Sequence, residues 1–92
     1  MIKVHIKKES ELISSIEIKG HSGYDEMGRD IVCASVSTMT ITTVNAIIRY
    51  DDQSLSYNQD EGYVKLVVLK HSSVVDLLLE NLVSLLKEFF SD

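Results

Sequence analysis

The sequence predicts an α/β domain of the α+β type: a two-layer sandwich in the order β-β-α-β-β-α, with one sheet of two hairpins and two helices on one face. Three observations predict it. Ile2, Val4 and Ile6 alternate with Lys3, His5 and Lys7, and Ile16 and Ile18 alternate with Ser15, Glu17 and Lys19, the period of half-buried strands. Residues 30–50 and 73–90 repeat their apolar positions every three or four residues instead, the period of a helix. Between them, Leu55 and Tyr57 precede a stronger strand over Tyr63–Leu69, which reads as a second hairpin.

The length suits one domain, 1–92. A chain of 92 residues buries roughly two-thirds of its unfolded surface, and 45% hydrophobic content fills a modest core. The single cysteine cannot form an internal disulfide, so nothing points to an oxidising compartment. Met1-Ile2-Lys3-Val4-His5 lacks the apolar run of a signal peptide, and Ile31–Ile48, though uncharged, carries too many Ser and Thr for a membrane span. The expectation is a soluble, cytoplasmic protein with no membrane association. A net charge of −5 argues against direct nucleic-acid binding. Lys3, His5, Lys7 and Lys8 form a small basic strip on the first strand, the ordinary solvated face of an edge strand.

In chain order, Glu9-Ser10-Glu11 breaks the first hairpin, and Gly20 ends its second strand, where the lack of a Cβ permits a sharp exit. Residues 22–29 read as a loop, with Gly23 and Gly28 bracketing Tyr24-Asp25-Glu26-Met27. Asp30 is a good N-cap for a helix running through Tyr50, with Val32, Val36, Met39, Thr43, Ala46 and Ile47 on one face. The β-branched run Thr40–Val44 favours a strand locally, but eighteen uncharged residues are too long for one strand in a small domain. Asp51-Asp52-Gln53 is a turn, and so is Asn58-Gln59-Asp60-Glu61-Gly62. Ser73-Val74-Val75-Asp76 has the Ser-x-x-Asp form of a capping box. The helix behind it sets Val75, Leu78, Leu82, Leu85 and Phe89 at 3-4-3-4 spacing, with Leu79, Val83, Leu86 and Phe90 alongside. A stripe this wide fits either a fully covered core helix or one that also faces a second subunit.

Chemistry concentrates between Gly20 and Ser37. His21 follows a strand end, and Cys33 stands at the start of a helix. An ordinary thiol with a pKa near 8.5 is about 3% thiolate at neutral pH, and one tuned to about 7 is half ionised. A helix N-terminus and a nearby imidazolium both favour the anion, and first-turn N–H groups could hold an oxyanion. Two roles fit Asp30: capping the helix, or orienting the His21 imidazole. Taken alone, Cys33 also fits a small buried residue and His21 a turn residue. His5 and His71 read as surface residues without a partner nearby in sequence. No metal-ligand spacing, P-loop or dinucleotide motif is present, and no cofactor is expected.

Gly20-His21-Ser22, a loop, and Gly28-Arg29-Asp30-Ile31-Val32-Cys33-Ala34-Ser35-Val36-Ser37 together resemble the bacterial ribosomal-processing cysteine protease Prp family. The resemblance extends over essentially the whole chain in length and element order, and Asn45-Ala46-Ile47-Ile48 is similar to the end of that family's first helix. It implies a homodimeric cysteine endopeptidase that removes an N-terminal extension from ribosomal protein twenty-seven of the large subunit. By motif match, Cys33 is implied as nucleophile and His21 as general base, with Gly20, Asp30 and Ser37 in support. Ser22, Gly23, Tyr24, Asp25, Glu26, Met27, Gly28 and Arg29 would form a loop that orders around the substrate. Ser22 and Ser35 depart from the family's frequent alanine or glycine, and both are small enough to preserve the geometry. The implied partners are the ribosomal protein precursor and a second copy of the chain, with the C-terminal helix as a candidate interface. The rival classes are a non-catalytic ribosome-assembly binding module and a redox-regulated thiol protein.

Overall fold

The computed structural model describes residues 2–20, 29–60 and 62–90, including side chains except those of 29–34 and 89–90. The elements follow the expected order: β1 (Lys3–Glu9), β2 (Leu12–Lys19), α1 (Arg29–Tyr50), β3 (Leu55–Asp60), β4 (Tyr63–Val68) and α2 (Ser73–Phe90). All four strands form one antiparallel sheet in the order β1-β2-β4-β3, so the two hairpins meet through β2 and β4.

Strand alternation sorts the two faces. One row across the sheet is Val4, Ile18, Val64 and Gln59, and the next is Ile6, Ile16, Leu66 and Tyr57. Both helices cover this face. Ile16, Ile18, Val64 and Leu66 pack in one core with Val36, Val44 and Ile47 of α1 and with Val75, Leu79, Leu82, Val83 and Leu86 of α2. α1 lies against α2 and β3, while α2 lies over β2. The opposite face carries Lys3, His5 and Lys7 of β1 beside Glu17, Lys19, Tyr63 and Lys65. There the Tyr63 hydroxyl donates to Glu17 Oε2 at 2.6 Å. That bond holds the Glu17 carboxyl below its usual range, with Lys19 adding to the effect, and pushes the Tyr63 phenol up.

The first hairpin contains a device that simple alternation does not reveal. Lys7 pairs with Ser15 but Lys8 pairs with Ile13, so Ser14 is the extra residue of a β-bulge. Its hydroxyl donates to the Lys7 carbonyl at 3.1 Å. The bulge shifts the phase of β2 by one residue. Ile13 and Ile16, three apart, are therefore both buried on the core side. Ser10 and Glu11 close the hairpin with φ of 53° and 66°, the positive values that a type I′ turn requires at both central positions.

Four expectations shift in register. The turn expected over 58–62 is shorter, because β3 continues through Asn58, Gln59 and Asp60 and pairs Asp60 with Tyr63. Polar residues are tolerated there because β3 is an edge strand. Gly62, with φ of 69°, supplies a conformation other residues rarely adopt. α1 begins at Arg29, one residue before the expected cap, and stays helical through Thr40–Val44 because Thr40, Thr43 and Val44 are buried against the core. At α2 the cap is Ser72 rather than Ser73: the Val75 N–H donates to Ser72 Oγ at 3.1 Å. Asp76 thereby falls one position beyond the capping box and meets His71 Nδ1 at 2.7 Å, giving His71 the partner that sequence distance had concealed.

The α1–β3 connection is closed tightly. The Asp51 N–H donates to the Ile47 carbonyl at 2.8 Å, and the Ser54 carbonyl accepts from Leu69 N–H at 2.7 Å. The Gln53 N–H donates to Asp51 Oδ1 at 3.0 Å and Lys70 pairs with Oδ2 at 3.3 Å, which together keep the Asp51 carboxyl below its ordinary range. The described face of α2 is a covered core face, with Val75, Leu79 and Leu82 fully buried; Leu77 projects outward, 69% exposed. Among the described residues, no helix is long and apolar enough to cross a membrane.

Candidate active site

The end of the sheet from which β2 leaves carries the chemistry-bearing segment. Gly20 adopts φ of 87°, open to glycine and costly to other residues, and its N–H donates to the Gly62 carbonyl at 2.7 Å. This bond ties the exit of β2 to the β3–β4 turn and fixes where the chain departs toward position 21. His21 and the loop positions Ser22, Gly23, Tyr24, Asp25, Glu26, Met27 and Gly28 lie outside the described residues.

α1 brings position 33 to the same end. Val36, Ser37, Thr40 and Ile41 stand over Ile18, Val64 and Gln59, the last inward row before Gly20 and the β3–β4 turn. Position 33 lies one helical turn upstream of Ser37, about 6 Å further along the axis. Gly20 and the helical segment bearing Cys33 are thus joined through one set of packed residues at one edge of the sandwich.

Two expected details change. Arg29 is the first residue of α1 rather than the last of a loop, and Asp30 is in the first turn rather than at the cap. An acidic residue suits either place, because both lie in the positive field of the helix N-terminus. Cys33 consequently stands fifth in the helix, not third. By helical geometry its own N–H reaches the carbonyl of residue 29, so the unpaired first-turn amides are those up to Ile31.

Sequence reasoning passed over a pocket beside this site. Its apolar walls are Ile18, Val36, Ile41 and Val64, and Ser37, Thr40, Tyr57 and Gln59 supply its polar groups. The Tyr57 hydroxyl donates to Gln59 Oε1 at 2.7 Å. One signal was available: Thr40 interrupts the apolar stripe of α1 seven residues after Cys33, two turns along the same face.

Comparison with known proteins agrees with the fold. The family model described as Cysteine protease Prp matches residues 1–91. The chain belongs to the cysteine protease Prp family. It is 35% identical over 66 residues to the ribosomal processing cysteine protease Prp of Bacillus subtilis, a match that covers 68% of this chain and 59% of that protein. The chain thus spans somewhat less than two-thirds of that curated relative. Among solved structures, SMU.848 from Streptococcus mutans superposes with a TM-score of 0.82 at 33% identity, covering 97% of this chain and 85% of that one. The essential ribosomal processing protease Prp from S. aureus, in complex with a covalently linked product peptide, gives a TM-score of 0.82 at 26% identity, covering all of this chain (100%) and 93% of that one.

Proposed function

We propose that this chain is a cysteine endopeptidase that removes the N-terminal extension of ribosomal protein twenty-seven of the large subunit, acting as one protease domain over 1–92. Cys33 is the nucleophile and His21 the general base. The observation that carries the reading is the meeting of Gly20, pinned to Gly62, with the α1 segment that follows Cys33 at one end of the sheet. The family match over residues 1–91 and the product-bound S. aureus relative support the chemistry.

In this mechanism His21 takes the Cys33 proton and the thiolate attacks the scissile carbonyl, forming the C–S bond. The tetrahedral intermediate collapses as His21 protonates the leaving amine, and water then releases the acyl group and restores the thiol. Asp30, on the first turn of the same helix, and Ser37, one turn past the nucleophile, support this machinery, and the loop over 22–28 orders around the peptide. The working form is a cytoplasmic homodimer. Leu77 on α2 is an exposed apolar residue that a dimer interface through this helix would cover.

The test is mass spectrometry of a peptide spanning the extension junction, incubated with wild type, Cys33→Ala and His21→Ala. One defined cut by wild type, reduced by several orders of magnitude in both variants, is the expected result. A peptide that binds wild type and stays intact would replace the protease with a binding module.

A further inference from the structure

We propose that the sheet face turned away from the helices is a docking surface for single-stranded RNA, held through its phosphates by Lys3, Lys7, Lys19 and Lys65. The charge pattern asks for a polyanion; that the polyanion is RNA rests on the reading of the substrate as a ribosomal protein, which is found among RNA.

Net charge averages over a molecule, and this fold separates what the average conceals. Among the described residues, four of the chain's nine Lys and Arg stand on this face: Lys3 and Lys7 on β1, Lys19 on β2 and Lys65 on β4. Only three of its fourteen Asp and Glu, namely Glu9, Glu17 and Asp60, are placed there. The face is therefore net positive in a chain of net −5. The strip read along β1 also changes membership. Lys8 pairs with buried Ile13 in the core-side register, while Lys19 and Lys65 join Lys3 and Lys7 from the neighbouring strands.

Folding alone explains this arrangement poorly. Lys3 lies directly opposite Lys19 in the β1–β2 pair, and like charges so placed are destabilising. The ion pairs on the face are long and open: Lys7 to Glu9 at 3.9 Å and Lys19 to Glu17 at 3.7 Å, with the lysine side chains 70% and 53% exposed. Such pairs contribute little, so both lysines can exchange them for a phosphate. Glu17 is already engaged by the Tyr63 hydroxyl. Beside the bulge, Lys7, Lys65, Ser14 and Ser15 line a hollow of about 270 Å³, with Glu9 as its one acidic wall. A water occupies about 30 Å³ of liquid, so the hollow seats a phosphate together with several waters. Strand geometry spreads the four lysines over roughly 13 by 10 Å, within reach of one nucleic-acid strand. Both helices lie on the other face, so a strand bound here leaves α1 open.

The test is fluorescence anisotropy of the full chain with a labelled single-stranded RNA of about a dozen nucleotides. Four phosphate contacts predict that affinity falls about 50-fold between roughly 50 and 200 mM salt; Lys7→Gln/Lys65→Gln, with two contacts left, should fall only about sevenfold. Lys3→Gln/Lys19→Gln should weaken binding similarly while leaving Tm unchanged or higher, because it removes the opposed like charges. Lys87→Gln, on α2, should bind as wild type. Absence of binding at about 50 mM salt, or binding indifferent to both lysine pairs, would overturn the proposal. So would equal binding of a polyglutamate peptide of the same length, which would assign the face to an acidic protein segment. Peptide cleavage should be unchanged in both double variants. Cleavage without RNA binding refutes the docking surface alone, and lysine-dependent RNA binding without cleavage refutes the protease alone.

Discussion

The β1–β2 turn lets the strain in this fold be measured away from the site. Ser10 and Glu11 both hold positive φ, 53° and 66°, without being glycine. The left-handed region costs an ordinary residue on the order of 1–2 kcal/mol. Glu11→Gly removes that strain, while the greater freedom of glycine in the unfolded chain returns roughly 0.5–1 kcal/mol of it. The net gain is then about 0.5–1 kcal/mol, and Ser10→Asn, a residue that tolerates this region, should contribute a few tenths more. Together the pair should stabilise by about 1 kcal/mol, which for a domain this small raises Tm by roughly 4–8 °C. The assay is a thermal melt of both single variants and the double, beside Ser10→Val, whose β-branch should lower Tm. The turn lies at the opposite end of β2 from Gly20, so peptide cleavage should be unaffected in the stabilised variants. An unchanged or lower Tm in Ser10→Asn/Glu11→Gly would refute the assignment of strain to this turn.

Three further predictions follow from the same contacts. Leu79→Ala, at a fully buried position of α2, should cost about 2–5 kcal/mol in chemical denaturation, the range for emptying a leucine site in a core. Ser72→Ala removes the acceptor for the Val75 N–H and should lower stability by about 1 kcal/mol, read as a shift in the denaturant midpoint. The Tyr63–Glu17 hydrogen bond predicts a pH dependence at each end of the range. The Glu17 carboxyl is lowered by folding, so its contribution is present above the unfolded carboxylate value and lost as pH falls through the folded one. The Tyr63 phenol is raised, so its contribution is present below the ordinary phenol range and lost as pH rises through the folded value. Tyr63→Phe should flatten both limbs in melts taken across pH, and limbs unchanged in that variant would place the dependence elsewhere.

Much of the fold was legible because a single physical signal decided each element. The alternation of Val4 and Ile6 or of Ile16 and Ile18 specifies a strand face, and the spacing of Val75, Leu79, Leu82 and Leu86 specifies a helix face. What was not legible depends on pairing partners. Ile13 is out of phase with Ile16 until the bulge at Ser14 is known, and a bulge is a property of two strands. Asn58, Gln59 and Asp60 look like a turn because their intrinsic strand preference is poor, and pairing with β4 overrides that preference. Ser72 and Ser73 are equivalent by residue type, so only the geometry of the first turn tells which one caps. At the site, the motif around Cys33 was legible as chemistry, whereas Thr40 was hidden in a run that reads as weakly helical.

That run has a physical rationale. α1 shows little of the clean two-faced patterning seen in α2, and its Ser and Thr residues would weaken an isolated helix. Val36, Val44 and Ile47 anchor one stripe in the core, so tertiary packing holds the helix whatever its intrinsic preference. The polar positions are thereby released for other uses: Thr43 satisfies itself on the Met39 carbonyl, and Thr40 does not. A helix built only for packing would carry valine at position 40.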